Sequence, residues 1–298
     1  MARHFLAWIG LGIAATLAAT PALAQSTSAG GKDPSIPEDS SGPTPAPPPA
    51  VPPPAPPPPP IAPGVTGGAR DAANDFQDWA VAVVAADWRS GQGQPIRAFE
   101  NSRRDLAAAF ERAGFARRNI AALSLAPNPD GSMLGPQQAA ASIEAITRRA
   151  TAGCLLYFTS HGSPAGIVWG PNGLMSPATM DRLIDGWCGT RPTVVVVSAC
   201  YSGVFVPALA RSNRMIMSAA RRDRSSFGCS EDATHPYFDA CVLEALNGAA
   251  DFLALSLRTT GCVNRREREE GLRPPSEPQT YVGAQMQPLL PFLQFARP

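Results

Sequence analysis

A histidine and a cysteine each follow directly on an apolar run. Leu155-Leu-Tyr-Phe-Thr-Ser160 leads into His161-Gly162, and Val194-Val-Val-Val-Ser198-Ala199 leads into Cys200. A thiolate attacks carbonyl carbon, and a neighbouring imidazole lowers the thiol pKa and later protonates the leaving amine, so the two side chains together would be a nucleophile with its base. Gly162 has a reason as well: without a Cβ it lets a substrate carbonyl approach its amide, which with the Cys200 amide would supply two donors to an oxyanion. Alone, the cysteine reads as a small buried hydrophobe or half a disulfide, and the histidine as a satisfied loop residue. Their coincidence at two strand ends favours the chemistry, in a chain with three histidines and six cysteines to choose from.

The elements that must position them are legible. Trp79 to Ala86 is a near-continuous apolar run of strand length, followed by a turn-rich loop, Asp87 to Pro95, and a helical stretch, Phe99 to Ala113. Strand signals recur at Asn119 to Leu125, Cys154 to Thr159, Thr193 to Ser198 and Arg214 to Ala219; helix signals recur at Pro136 to Ala150, about Pro177 to Gly186, and Tyr237 to Asn247, with a hairpin at Gly166 to Trp169. Unbroken rather than alternating hydrophobicity means that both strand faces are covered, and helices between strands mean parallel crossovers. The expected fold class is α/β, a mostly parallel sheet covered by helices on both faces, with ligands beyond the carboxyl ends of the strands. Neighbouring strands lie about 5 Å apart, which would bring His161 and Cys200 near hydrogen-bonding reach.

Composition bounds the rest. The 298 residues are 44% hydrophobic and 16% charged, and 25 cations nearly balance 24 anions at a pI of 7.6, so there is no field to recruit nucleic acid or an anionic membrane surface. Residues 1–24 have the pattern of a cleaved secretory signal: Arg3, an apolar run from Phe5, and Ala22-Leu-Ala24 before Gln25. The mature chain is then expected to be periplasmic or extracellular, with no membrane span and with disulfides permitted. Residues 25–68, rich in proline, read as an extended spacer, and residues 69–298 as one folded domain. Cys154 and Cys188 lie near the starts of the two strands that end in the pair and could be bridged; Cys229, Cys241 and Cys262 have no connectivity readable from spacing. No cysteine pair has metal-ligand spacing, so no metal site is expected. A nucleotide cofactor is not expected either, because Asp87-Trp-Arg-Ser-Gly-Gln-Gly93 lacks the glycine spacing.

The stretches Thr159-Ser-His-Gly-Ser163, Val197-Ser-Ala-Cys-Tyr-Ser-Gly203 and Ser218-Ala-Ala-Arg-Arg-Asp-Arg-Ser-Ser-Phe-Gly-Cys229 resemble, in that order, the legumain-like (C13) cysteine peptidases, and among them an exported bacterial member. The resemblance covers roughly Trp79 to Leu246. It implies a caspase-like α/β sandwich, a dyad carried over onto His161 and Cys200, an oxyanion hole from the amides of Gly162 and Cys200, a peptide or protein substrate, and no cofactor. It also departs from the family: Ser198 stands where plant and animal legumains carry a pocket Glu, and Phe99 and Glu100 where they carry an Arg-His pair. Ser198, Ser218 and Ala219 are carried over as borders of the substrate pocket. Asp239 either reaches the same pocket, across a gap in the match, or is an exposed helix carboxylate. Arg221, Arg222 and Arg224 read as a solvated loop or as a contact for a substrate carboxylate at the pocket rim, and Arg265, Arg266 and Arg268 as a mixed-charge helix face.

The favoured function is a cysteine endopeptidase. A catalytically inactive caspase-like binding module, or an acyl-transferring transamidase or ligase, stays open beside it. No oligomeric state is signalled by the sequence.

Overall fold

The computed structural model describes residues 76–296; the expected signal segment (1–24) and proline-rich linker (25–68) lie outside the described residues. Six strands form one sheet in the order β2-β1-β3-β7-β8-β9: β1 is Trp79–Ala85, β2 Ile120–Ser124, β3 Gly153–Thr159, β7 Thr193–Ser198, β8 Arg214–Ser218 and β9 Gln279–Val282. The first five run parallel, and β9 closes one edge antiparallel to β8. A small antiparallel sheet is made by β4 (Gly162–Ser163), β5 (Gly166–Val168) and β6 (Leu174–Met175).

Every residue of β1, β3, β7 and β8 is buried, as unbroken apolar runs require. Because successive side chains point to opposite faces, each strand divides itself between two cores. Trp79, Val81, Val83, Leu155, Tyr157, Val194, Val196, Met215 and Met217 enter one. Against them pack helices α1 (Ala98–Arg112), α5 (Tyr237–Leu246) and α6 (Phe252–Glu269), through Leu106, Phe110, Phe238, Val242, Phe252 and Leu255. Ala80, Ala82, Val84, Leu156, Phe158, Val195, Val197 and Ile216 enter the other, covered by α2 (Pro136–Arg149), α3 (Pro177–Cys188) and α4 (Phe205–Leu209) through Ile143, Met180, Ile184 and Phe205. Full burial of one such aliphatic or aromatic side chain contributes about 1.5–3 kcal/mol, so either helix layer stripped away would leave the sheet unstable.

The helices begin where local chemistry starts them. Pro136 and Pro177 occupy first turns, where a missing amide costs nothing. Gln138 Oε1 accepts from the Gly135 amide at 2.8 Å, and Ser176 Oγ accepts from the Thr179 amide at 3.2 Å. Two disulfides brace the layers: Cys154–Cys188 ties β3 to the end of α3, as the positions suggested, and Cys241–Cys262 ties α5 to α6. Arg214, fully buried, anchors β8 to α3 by a 2.7 Å bond from Nη1 to Asp181 and a second bond to Asp185. No helix among the described residues is long and apolar enough to cross a membrane.

Candidate active site

The site begins as a matter of register. β3 and β7 are parallel neighbours, with Thr159 opposite Ser198, and the Ser160 amide donates to the Ser198 carbonyl at 3.1 Å. His161 and Cys200 each follow their member of that pair by two residues, so they leave the sheet at one height, on one rim. The two turns touch: a Cβ built on Gly162 would lie 2.1 Å from the Cys200 carbonyl oxygen and 2.9 Å from the Ala199 Cβ. This changes the reason for the glycine. The sequence suggested room for a substrate carbonyl; the structure shows that Cys200's own carbonyl already fills the space a side chain would need.

His161 Nε2 is bonded to the main-chain carbonyl of Arg89 at 2.7 Å. A carbonyl only accepts, so Nε2 carries the hydrogen, and in the neutral ring Nδ1 is left as the acceptor. The edge-on contact with Phe99, 5.1 Å between ring centroids, holds the imidazole from another side. Its main chain is fixed as well: the Val168 amide donates to the His161 carbonyl at 2.9 Å, and Ser160 Oγ donates to the Val168 carbonyl at 2.8 Å.

Cys200 is a free, half-buried thiol. Its Sγ accepts from the Ser226 amide at 3.3 Å and lies 3.5 Å from the Ser226 carbonyl and 3.7 Å from Ser226 Oγ. An amide donor is the partner a thiolate needs. Thiol and imidazole thus each hold a main-chain partner, and no hydrogen bond joins them among the described residues. Tyr201, next in the chain, has φ 58°, a left-handed conformation that costs a non-glycine residue about 1–3 kcal/mol. Its amide donates to the Arg224 carbonyl at 2.8 Å, which holds the turn in that shape.

Two main-chain amides of these turns have no acceptor among the described residues. Gly162 faces Ile167 across β4 and β5, and the bond from the Val168 amide to the His161 carbonyl makes that a non-hydrogen-bonded pair, so the ladder does not take the Gly162 amide. Among the described residues the Cys200 amide has no acceptor either.

The residues carried over as pocket borders lie deeper than expected. Ser198 is 2% exposed, and Ser218, Ala219 and Asp239 are fully buried. The Ala219 amide donates to the Val197 carbonyl at 3.0 Å, and Ser218 Oγ to the Ala220 carbonyl at 3.2 Å. Asp239 is no exposed helix carboxylate: it accepts from the Tyr157 hydroxyl and from Thr159 Oγ1, each at 2.6 Å, with Ser198 beside it. Burial raises its pKa above the ordinary carboxylate value against those hydroxyl donors, and burial with the nearby Asp239 charge raises that of Tyr157. The half-buried thiol of Cys229 is also pushed up, first by desolvation and then by the charges of Cys200 and Asp239.

Arg221 pairs with Asp223 at 2.5 Å and with Glu277 at 2.6 Å, and Arg224 with Asp223 at 3.3 Å; Arg222 is exposed and has no ion pair among the described residues. The Asp223 carboxyl is held down at about 2 chiefly by its Arg221 hydrogen bond. Arg265 and Arg266 pair with Glu244 across helices, which fits the mixed-charge face. Sequence reasoning missed Arg89 and Ser226, because both act through the main chain, which side-chain type does not reveal. Phe99 was visible only as a departure from a pattern. No group of three His, Cys, Asp or Glu side chains gathers for a metal among the described residues.

Comparison with known proteins agrees with this architecture. The model of the Peptidase C13 family matches residues 131–256, the stretch that includes β3, β7, His161 and Cys200. Among solved structures the chain is similar to the crystal structure of caspase-1 from Spodoptera frugiperda, with a TM-score of 0.51 and 12% identity over 70% of this chain and 88% of that one. At that identity the likeness concerns the fold, which is a caspase-like α/β sandwich. A search of curated proteins finds no match. The family model thus covers the stretch that carries both turns, and the structural likeness shows the fold.

Proposed function

We propose that the chain is a cysteine endopeptidase whose nucleophile is Cys200 and whose base is His161. The observation that carries this reading is the common height of the two residues on hydrogen-bonded parallel strands, with Arg89 leaving Nδ1 of the ring free to accept. In the reaction Nδ1 takes the thiol proton, Sγ adds to the scissile carbonyl carbon, and the carbonyl π pair moves onto oxygen. The amides of Gly162 and Cys200 receive that oxyanion. Collapse expels the amine, which takes the proton from Nδ1, and leaves a thioester. Water, deprotonated by Nδ1, then releases the acid and restores the thiol. An amine in place of water would give transfer rather than hydrolysis.

The N-terminal pattern and the two disulfides support export to the periplasm or the extracellular space, since such bridges persist in oxidising compartments. A second reading, an inactive caspase-like binding module, is favoured by the partners that thiol and imidazole hold in place of each other, and by the burial of Ser198, Ser218, Ala219 and Asp239. The deciding experiment incubates the protein with an iodoacetamide-type alkylator and, separately, with a peptide library. Internal cleavage that vanishes in Cys200→Ala, with alkylation centred on Cys200, supports the peptidase. No cleavage with indiscriminate alkylation supports the module.

A further inference from the structure

We propose that Asp87 is a positioning residue for His161, acting through Arg89, whose main-chain carbonyl it aims at the imidazole. The inference deepens the peptidase reading and rests on it for the effect on turnover.

Asp87 lies two residues beyond the end of β1 and is 4% exposed. Ionisable side chains so placed are rare in loops unless something holds their charge. Here Oδ1 accepts from the Trp88 amide at 2.8 Å, the Arg89 amide at 3.3 Å and Arg89 Nε at 2.8 Å. The rest of the guanidinium fork is used in the other direction. Nη1 donates to the Pro171 carbonyl at 2.9 Å and Nη2 to the Gly170 carbonyl at 3.3 Å, while the group stacks 4.6 Å from the Trp88 ring.

Arg89 therefore bridges the end of β1 to the loop between β5 and β6. Both ends of that bridge bear on the site. The Gly170 amide donates to the Ala86 carbonyl at 2.9 Å, and Val168, two residues earlier, holds the His161 carbonyl. Within its own loop Arg89 forms a bridge with Pro95, and the Ile96 amide donates to the Trp88 carbonyl at 2.8 Å. The Asp87 contacts fix the Trp88–Arg89 peptide and the Arg89 side chain, the Ser90 amide, in the same plane as the Arg89 carbonyl, donates to the Gln94 carbonyl at 2.6 Å, and between these holds the Arg89 carbonyl meets Nε2 at 2.7 Å.

The chemical consequence is a fixed tautomer. A carbonyl at Nε2 selects the form in which Nδ1 can accept a proton, and it keeps its partner when the ring becomes the imidazolium. Lysine cannot replace the arginine, because one ammonium does not reach a carboxylate and two carbonyls in a planar fork.

The test compares the wild-type chain with Asp87→Asn, Asp87→Ala and Arg89→Lys. Each is labelled with nitrogen-15 histidine for imidazole NMR and assayed for kcat, KM and thermal midpoint. The resonance of His161 is assigned by its loss in His161→Gln. The wild type is expected to show the Nε2–H form, and all three variants a shift towards mixed tautomers. Misorientation of the base is expected to lower kcat by about 100-fold in Asp87→Ala, with KM within about twofold and smaller losses in the two conservative variants. Should Asp87→Ala fail to fold, Asp87→Asn and Arg89→Lys carry the test. An unchanged tautomer in the folded variants, or a fall in rate that only tracks the folded fraction, overturns the proposal. A wild type that shows the tautomer shift on mutation and yet cleaves nothing keeps the positioning role and overturns the peptidase reading instead.

Discussion

Gly162 stands against Cys200 so closely that a single methyl group would meet the cysteine carbonyl oxygen at 2.1 Å. The obstructing atom is backbone on a turn that also carries a left-handed Tyr201, so it has little freedom to give way. Gly162→Ala is therefore expected to displace both turns, destabilise the fold by about 1–3 kcal/mol and abolish most turnover. Urea denaturation and a peptide assay read the two effects. An alanine variant with wild-type stability and rate would show that the two turns do not meet as described.

The two free thiols should differ in reactivity. Cys200 has the Ser226 amide as donor, whereas burial and the neighbouring Cys200 and Asp239 charges oppose ionisation of Cys229. At pH 8, limiting iodoacetamide is expected to label Cys200 at least about tenfold faster, as a thiolate-dependent reaction would. Peptide mass spectrometry of timed samples measures the ratio, and equal rates would refute the assigned environments.

Asp239 gives a pH signature of defined sign. Its folded-state pKa lies above the ordinary 3.8, so the folded protein binds this proton more tightly than the unfolded chain. The linked stability is present in full below 3.8 and is lost as pH rises through the raised value. Carboxylates such as Asp223, held down at about 2, act oppositely, since their contribution disappears as pH falls from 3.8 through 2. Comparing wild type with Asp239→Asn isolates the first effect. The variant is expected to gain stability relative to wild type as pH goes from 4 to 8, in urea midpoints taken at each pH; a difference that stays flat contradicts the buried carboxylate.

Each disulfide should contribute measurably. The closed segments span 34 and 21 residues, for which chain entropy gives about 3–4 kcal/mol apiece. Cys154→Ala with Cys188→Ala, and separately Cys241→Ala with Cys262→Ala, are expected to lower the denaturation midpoint accordingly and to leave alkylation of Cys200 unchanged. All four half-cystines are nearly inaccessible, at 0–4% exposure, so a mild thiol reductant is expected to spare them in the native protein. Free-thiol counts before and after unfolding check this.

What was legible in the sequence follows from how each element is buried. β1, β3, β7 and β8 announce themselves because both faces are covered and their central residues are apolar, with polar residues such as Arg214, Thr193 and Ser198 kept to the strand ends. β9 does not, for an edge strand with half-exposed Gln279, Tyr281 and Val282 has no such run. Most of α6 escaped notice too, because Ser256, Thr259 and Glu267 share its buried stripe with Phe252, Leu255 and Val263 and blur the period. Of the proposed site, the placing of His161 and Cys200 just beyond two neighbouring strands was readable from the apolar runs, whereas the packing reason for Gly162 was not. The Arg89 carbonyl and the Ser226 amide were not, since every residue has both groups and only the folded path selects one. Asp239 misled for a related reason: α5 carries it at a position whose inward face is set by the hydroxyls of Tyr157 and Thr159, two strand residues some eighty positions earlier.

The pairing of Thr159 with Ser198 has a consequence for how such a molecule could diversify. Strand spacing is a property of the peptide backbone, identical whatever the side chains are, so the separation of the two reactive turns is inherited from the ladder and needs no tuning. The loops at 87–95 and 219–236 are held at a few points only, among them the Arg89 carbonyl on the ring and the Ser226 amide on the thiol, both main-chain groups. Exposed side chains elsewhere in those loops can be exchanged while the gauge between sulfur and ring stays as the strands have set it.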